Sequence, residues 1–177
     1  MKLTRTLPLL LLAAACLFAQ TSSTPKPDVI FVPTPQAVVD EMLKLAGVGP
    51  KDVVYDLGCG DGRIAVSAAK LGARAVGIDI DPERIAESKD TALAAGMSSR
   101  VTFRNEDLFT ANISEATVVT LYLLRSLNIR LRPKLVSELK PGARIVSHSF
   151  NMGDEWEPEK RVSIDGTSIY LWTVPER

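Results

Sequence analysis

Residues 53–62, Val-Val-Tyr-Asp-Leu-Gly-Cys-Gly-Asp-Gly, decide the fold of this chain. The first five residues form an apolar, β-favouring run, and the last five form a glycine-rich loop. Residues 63–71 follow with apolar side chains at helical spacing, and Gly72 closes that segment. A strand that turns through a glycine loop directly into a helix is the first half of a βαβ unit. The stretch therefore predicts a parallel sheet.

The rest of the chain continues the alternation of short strands and helices. Further strands are predicted at 74–80, 100–104, 117–122 and 143–150, and further helices at 36–46, 82–95 and 125–139. Asp165-Gly166 then separates two β-favouring runs, 161–164 and 167–174, which indicates a two-residue hairpin. The predicted fold is α/β: a Rossmann-like, doubly wound, mostly parallel sheet with a C-terminal antiparallel β-hairpin edge.

The composition is that of one globular domain. The chain has 177 residues, of which 46% are hydrophobic and 24% charged. Its 21 basic residues equal its 21 acidic residues, whereas domains that grip nucleic acid are usually strongly basic. One histidine and two cysteines leave little material for a metal site or a disulfide scaffold. We therefore expect no nucleic-acid partner and no metal.

The first 19 residues have the pattern of a signal peptide. Lys2 and Arg5 precede an apolar run at 7–18 that is too short to span a bilayer comfortably, and Ala19 suits a cleavage site. The polar, Pro-rich residues 20–28 are a predicted flexible linker, and residues 29–177 are the predicted domain. The protein is then exported, to the periplasm or the medium, and without its leader carries a formal charge of −2.

Three alternatives for the N-terminus stay open. The segment could remain as an uncleaved anchor, or Cys16 could follow a weak lipobox and become lipid-modified. In either case the N-terminal segment would be the sole membrane contact. A misassigned start codon would instead leave the protein in the cytoplasm.

An acidic residue follows each of three consecutive predicted strands. These residues are Asp56, Asp79 and Asp107. Carboxylates beside the glycine loop disfavour a phosphate and suit a cationic or zwitterionic ligand. An acid behind the second strand typically binds ribose hydroxyls, and one behind the third can accept from an adenine amino group. The alternatives are a structural turn in another nucleotide-binding Rossmann protein and, for Asp107, a helix cap.

These residues resemble the motifs of class I S-adenosylmethionine-dependent methyltransferases. Residues 54–62 resemble the first motif, 77–81 the second acidic motif and 105–109 the adenine-contacting motif. The resemblance covers roughly residues 29–177 and implies S-adenosyl-L-methionine as the cofactor. It places residues Asp56, Gly58 and Gly60 at the amino-acid part of the cofactor, Asp79 at the ribose and Asp107 at the adenine. Asp61 is a further cofactor-binding candidate, or it caps the helix that begins near Arg63.

A narrower resemblance concerns the segments FVPTP (31–35) and DGRI (61–64). They are similar to the protein-lysine methyltransferase group that includes the ATP synthase c-subunit lysine methyltransferase. This likeness implies that Pro33 and Thr34 lie near the methionine end of the cofactor. It also implies a lysine side chain of a protein as the methyl acceptor. A small-molecule methyltransferase and a non-catalytic nucleotide-binding module remain alternatives.

The acceptor side of the site is predicted to lie at the ends of the fourth and fifth strands. Residues 120–124, TLYLL, lack the Asn/Asp-Pro-Pro-Tyr sequence that resembling methyltransferases use on the planar amino groups of DNA bases or glutamine. This absence disfavours a DNA amino-methyltransferase. Tyr122 is the candidate catalytic residue, with core packing as its alternative. His148 is better interpreted as a hydrogen-bonded structural histidine.

Overall fold

A computed structural model describes residues 29–176. The predicted leader (1–19) and linker (20–28) lie outside the described residues. The described residues form one sheet with helices on both faces. Its helices are α1 (Gln36–Leu45), α2 (Arg63–Lys70), α3 (Pro82–Ala94) and α4 (Arg125–Glu138). Its strands are β1 (Val53–Leu57), β2 (Arg74–Asp79), β3 (Val101–Asn105), β4 (Val118–Leu121), β5 (Arg144–His148), β6 (Lys160–Ile164) and β7 (Thr167–Thr173).

The strand order confirms the doubly wound sheet. The order is β3-β2-β1-β4-β5-β7-β6, with β1 to β5 all parallel. The chain moves outward from β1 to β3 and then returns to the other side of β1 with β4. The switch point therefore lies between β1 and β4, and ligands of such sheets bind outside the carboxyl ends of the strands at this point.

The C-terminal edge is the predicted antiparallel hairpin. Strand β7 pairs antiparallel with both β5 and β6. The two turn residues, Asp165 and Gly166, have φ values of 49° and 78°. Two successive positive φ values are what a two-residue hairpin of the tight, right-twisting type requires, and Asp-Gly supplies them at little cost.

Alternating side chains divide the hydrophobic core between the two faces of the sheet. On β1, Val54 packs with α1 and α2, while Tyr55 and Leu57 pack on the opposite face with α4. The sheet thus has helices on both sides, as the near-continuous apolar strands predict. Trp172 on β7 is fully buried in the α4-side core.

Local signals also place the helix that leads to the site. The Asp81 side chain accepts a hydrogen bond from the Glu83 backbone N–H at 2.8 Å, and Pro82 is the first residue of α3. Asp81 therefore caps α3, and Pro82 fits its first turn. Across residues 29–176, the helices are all too short or too polar to cross a bilayer.

Candidate functional site

A cavity of about 430 Å³ opens at the carboxyl ends of β1, β2 and β4, beside the switch point. This volume lies in the range of small-molecule and cofactor sites. Its charged lining consists of four acids and two bases: Asp61, Asp79, Asp81, Asp107, Arg63 and Arg84. The described lining therefore carries more negative than positive charge, which favours a cationic ligand.

The glycine loop at the cavity floor uses its backbone donors internally. The N–H groups of Gly58 and Cys59 both donate to the Ile78 carbonyl oxygen, at 2.8 and 3.0 Å. The Gly60 N–H donates to Asp79 Oδ2 at 2.9 Å. A loop that cradles a pyrophosphate must aim such donors at the ligand. This loop instead holds itself against β2, which argues against a dinucleotide of the NAD type.

Two glycines of this loop are required by close packing as well as by backbone conformation. Gly58 has φ +81°, and a Cβ there would lie 2.9 Å from Leu123 Cδ2. Gly60 has φ +54°, and a Cβ would lie 2.2 Å from the Phe31 ring. A side chain at either position would therefore be strained, and a side chain at Gly60 would also displace Phe31. The segment before α1 can lie over the loop because the loop has no side chain at Gly60.

Asp56 is fully buried beneath the loop and does not line the cavity. The Thr120 hydroxyl, on the neighbouring strand β4, donates to Asp56 Oδ1 at 2.7 Å. Asp56 Oδ2 has no hydrogen-bond partner among the described residues. Burial raises the pKa of Asp56 to about 7, and the nearby charges of Asp79 and Asp61 add to this effect, while the Thr120 hydrogen bond opposes it.

Asp79 and Asp107 border the cavity and also fix the backbone. Asp79 Oδ1 accepts from the Asp81 N–H at 3.0 Å, in addition to the Gly60 contact of Oδ2. Asp107 Oδ1 accepts from the Phe109 N–H at 2.8 Å. Asp107 therefore stabilises a turn at 108–110 and does not cap a helix, which was the alternative for it, and it also faces the cavity.

Arg63 joins the glycine loop to the segment before α1. Its guanidinium binds both oxygens of Asp61 and donates to the Thr34 carbonyl oxygen at 2.9 Å. Burial alone would raise the pKa of Asp61, but the hydrogen bonds and charge of Arg63 hold it below its usual value. The Arg63 backbone N–H also donates to Asp61, as the capping alternative predicts. The charges of the Asp61 carboxylate and the Arg63 guanidinium therefore largely compensate each other.

At the ends of β4 and β5, Thr34, Tyr122 and His148 are in contact. The Thr34 hydroxyl lies 3.1 Å from His148 Nδ1. The Tyr122 and His148 rings stack, with centroids 3.7 Å apart. Burial lowers the pKa of His148 to about 4, so the imidazole is neutral at physiological pH. Thr34 and Tyr122 line the cavity, whereas His148 lies behind them.

Most of the predicted site residues meet at one cavity. Those that line it are Thr34, Gly58, Asp61, Asp79, Asp107 and Tyr122. Three others lie outside the lining: Asp56 is buried beneath the loop, Gly60 is buried within the loop under Phe31, and Pro33 is exposed. Their roles toward the cofactor stay predictions. Phe31, Arg63 and Leu123 were not assigned roles from the sequence, although the first two lie inside the motifs quoted above.

Comparison with known proteins identifies the family. The model of the ANTKMT methyltransferase domain matches residues 56–160, more than half of the chain. The chain belongs to the ANTKMT methyltransferase family. It is an S-adenosylmethionine-dependent methyltransferase, which excludes the non-catalytic nucleotide-binding module that the sequence left open.

Curated relatives of this methyltransferase extend the match beyond the domain. Protein-lysine N-methyltransferase of Saccharolobus islandicus is 45% identical over 156 residues, which cover 85% of this chain and 96% of the relative. Adenine nucleotide translocase lysine N-methyltransferase of Mus musculus is 34% identical over 77% of this chain. The ATP synthase c-subunit lysine N-methyltransferase of Homo sapiens is 30% identical over 73%. The chain matches 59% and 54% of the lengths of these two mammalian relatives.

Solved structures show the same fold with a cofactor product bound. A protein described as an RNA methyltransferase from Salinibacter ruber, in complex with S-adenosyl-L-homocysteine, has a TM-score of 0.81 and 54% identity. The match covers 82% of this chain and 95% of that one. Ribosomal protein L11 methylase from Lactobacillus delbrueckii subsp. bulgaricus has a TM-score of 0.67 at 18% identity, which shows the shared fold alone.

The site of the methyltransferase fits its cofactor. S-adenosylmethionine carries a cationic sulfonium and an α-ammonium group, and the described lining is predominantly acidic. The loop keeps its N–H donors for β2 and for Asp79, so it is shaped for close approach rather than for binding phosphate. The cavity lies where a doubly wound sheet binds its ligand.

Proposed function

We propose that this methyltransferase transfers methyl groups to lysine side chains of proteins. The observation that carries the proposal is the 45% identity to a protein-lysine N-methyltransferase. The match covers 96% of the length of that relative. Two further relatives named as lysine N-methyltransferases support the same acceptor.

The chemistry of the site supports a cationic acceptor. S-adenosylmethionine supplies an activated methyl group when bound. Asp79 and Asp107 would hold its ribose and adenine, as the resemblance implies, while the loop at 58–60 would approach its amino-acid part. The described lining offers acids to attract an ammonium ion, and it has an apolar side formed by Leu123 and Leu127. A lysine side chain has both parts, an apolar stem and a charged end.

The protein must then align a neutral amine with the methyl group and exclude water. Tyr122 lines the cavity at the end of β4, where we place the acceptor. Its hydroxyl can accept a hydrogen bond from the lysine ammonium and help pass the proton that the ammonium must lose to solvent water. Tyr122 is therefore the proposed catalytic residue, and its aromatic ring also suits the approach of a cation.

RNA is the second candidate acceptor, because the structural relative from Salinibacter ruber is described as an RNA methyltransferase. Two features of this chain argue against it. The formal net charge is zero. Both arginines of the cavity lining are paired with acids, Arg63 with Asp61 at 2.5 Å and Arg84 with Glu87 at 2.6 Å. Phosphate binding needs unpaired cationic side chains, which neutralise the phosphates and so release the counterions condensed on the nucleic acid.

A partition experiment separates the acceptor classes. The enzyme is incubated with methyl-labelled S-adenosylmethionine and a dialysed bacterial lysate, half of which is treated beforehand with RNase. The label is then counted in the protein, RNA and small-molecule fractions. Label in protein that survives RNase and maps to lysine supports the proposal. A parallel reaction receives back the small molecules that dialysis removed. Label confined to RNA, or to those small molecules, overturns the proposal.

We propose in addition that the protein is exported through its N-terminal segment. The proposal rests on Lys2 and Arg5 before the apolar run at 7–18. Mass spectrometry of the N-terminus, on protein purified from separated cell fractions, tests it. A mature chain that begins at Gln20 outside the cytoplasm supports cleavage and export. A complete N-terminus in the cytoplasm contradicts it, and a complete or lipidated N-terminus in the membrane fraction supports the anchored alternative.

A further inference from the structure

His148 is buried between two residues that line the cavity. It is 3% exposed and ends β5, while Tyr122 follows β4 and Thr34 precedes α1. The three residues come from distant parts of the sequence, and the imidazole touches both of the others. One edge of the ring lies at hydrogen-bond distance from the Thr34 hydroxyl, and its face stacks on Tyr122.

These contacts continue a chain that begins at the glycine loop. Asp61 binds Arg63, and Arg63 donates to the Thr34 carbonyl oxygen. Thr34 is thus held from two sides, by Arg63 through its backbone and by His148 through its hydroxyl. The cofactor-side loop and the Tyr122 ring are therefore connected through consecutive polar and stacking contacts.

We propose that His148 is a positioning residue, which uses its contacts to Thr34 and Tyr122 to fix the acceptor end of the cavity. This inference rests on the proposed function, because Tyr122 borders the acceptor only if the methyl group is delivered there. Held by the stack, the Tyr122 ring keeps one orientation. Held by the hydrogen bond, the segment at 29–35 keeps its place over the loop. Arg63 holds the Thr34 backbone independently of His148, so loss of the His148 contacts would misplace the acceptor end only slightly and would cost rate rather than cofactor affinity.

The surroundings of His148 agree with this role. Burial keeps the imidazole neutral, so it adds no positive charge beside a cavity that must accept a sulfonium and an amine. A neutral imidazole has one N–H and one acceptor nitrogen. The Thr34 hydroxyl can donate to Nδ1 or accept from it, and in either case this contact orients the ring.

Kinetic measurements on isosteric variants test the proposal. Thr34→Val removes the hydroxyl but keeps the shape, and Thr34→Ser restores the hydroxyl. His148→Phe keeps a ring for stacking and removes the hydrogen bond. Thr91→Val on α3, whose hydroxyl bonds only to a carbonyl of its own helix among the described residues, is the matched control. For each variant kcat, KM, the affinity for S-adenosylhomocysteine and the Tm are measured.

We expect Thr34→Val and His148→Phe each to lower kcat about tenfold, with affinity for S-adenosylhomocysteine within about twofold. Thr34→Ser should recover most of kcat, and the double variant should fall no further than either single one, since both remove the same bond. Unchanged kcat, additive losses, or a parallel loss of cofactor affinity would overturn the proposal.

Spectroscopy supplies a readout that does not depend on the acceptor. His148 is the single histidine of the chain, so its imidazole ¹⁵N signals need no assignment. We expect a neutral ring in the wild type, and altered ¹⁵N shifts in Thr34→Val but not in Thr91→Val. Shifts that Thr34→Val leaves unchanged would contradict the contact between Thr34 and His148. If the wild type methylates RNA instead of lysine, the proposed function fails, and the same kcat comparison is made with RNA.

Discussion

The Asp79 carboxylate accepts a hydrogen bond from the Gly60 backbone N–H at 2.9 Å. This contact joins the acid at the end of β2 to the glycine loop that follows β1. Asp79 also lines the cavity, so a single side chain holds the loop and faces the cofactor position. The acid and the glycines of the two motifs therefore act as one structural unit.

Replacing Asp79 by Ala is expected to weaken S-adenosylmethionine binding by about 1.5–3 kcal/mol, the magnitude of a hydrogen bond to a charged group. The loss combines the predicted ribose contact with a looser loop at Gly60. Isothermal titration calorimetry measures the change. Asp90→Ala, at an exposed position of α3, is the control and should bind normally. Unchanged binding by Asp79→Ala would remove this residue from the cofactor site.

Replacing Gly60 by Ala is expected to displace Phe31 and to abolish most cofactor binding. A Cβ at this position would lie 2.2 Å from the aromatic ring. Gly96→Ala is the matched control, because Gly96 also has a positive φ but has open space around the missing Cβ. Both variants should lose about 1 kcal/mol of folding stability from backbone strain.

Thermal unfolding and titration calorimetry together distinguish the two effects. Only Gly60→Ala should lose affinity for S-adenosylhomocysteine beyond what its lower stability explains. Equal affinity in the two variants would show that the packing of Phe31 on the loop is unimportant for binding.

Asp56 is expected to make the cofactor-free protein less stable as pH rises from about 4 to about 7. Its pKa is raised from its usual 3.8 to about 7, so in this range the folded state keeps a proton that the unfolded state has released. The free energy of unfolding then falls with pH by up to about 1.4 kcal/mol per pH unit from this group. Above about pH 7 the effect is complete.

The isosteric variant Asp56→Asn removes this titration. The free energy of unfolding of the variant and of the wild type is measured with urea at a series of pH values. Relative to the wild type, Asp56→Asn should become more stable as pH rises to about 7, and the difference should then stay constant. Asp90→Asn measures the effect of removing an exposed carboxylate from α3. A difference for Asp56→Asn that does not vary with pH would contradict the raised pKa.

The fold was predictable because its signals are local. Residues 53–57 and 74–80 are short apolar runs with turn residues behind them, and Asp81-Pro82 caps α3 as such pairs do. Asp165-Gly166 alone predicts the hairpin, because few residue pairs tolerate two positive φ values. Each signal depends on backbone chemistry within a few residues, which a single sequence displays directly.

The site was predictable only in part, because its remaining contacts are long-range. Phe31 packs on Gly60, and Thr34 meets His148 across 114 positions of sequence. No spacing rule relates such residues before the strand order is known. The motif singles out Asp56, whose cofactor role stays a prediction. Its burial and its Thr120 partner follow from the pairing of β1 with β4, which the sequence does not display.

The identity of the methylated atom tests the central claim most directly. Wild-type enzyme is incubated with deuterium-labelled S-adenosylmethionine and RNase-treated lysate protein, and the peptides are sequenced by tandem mass spectrometry. Labelled methyl groups on lysine Nζ, absent from a parallel reaction with Asp79→Ala at a low cofactor concentration, are the predicted result. A parallel reaction uses lysate without RNase treatment. Lysine peptides without label, together with labelled bases in the RNA of that untreated lysate, would contradict the account.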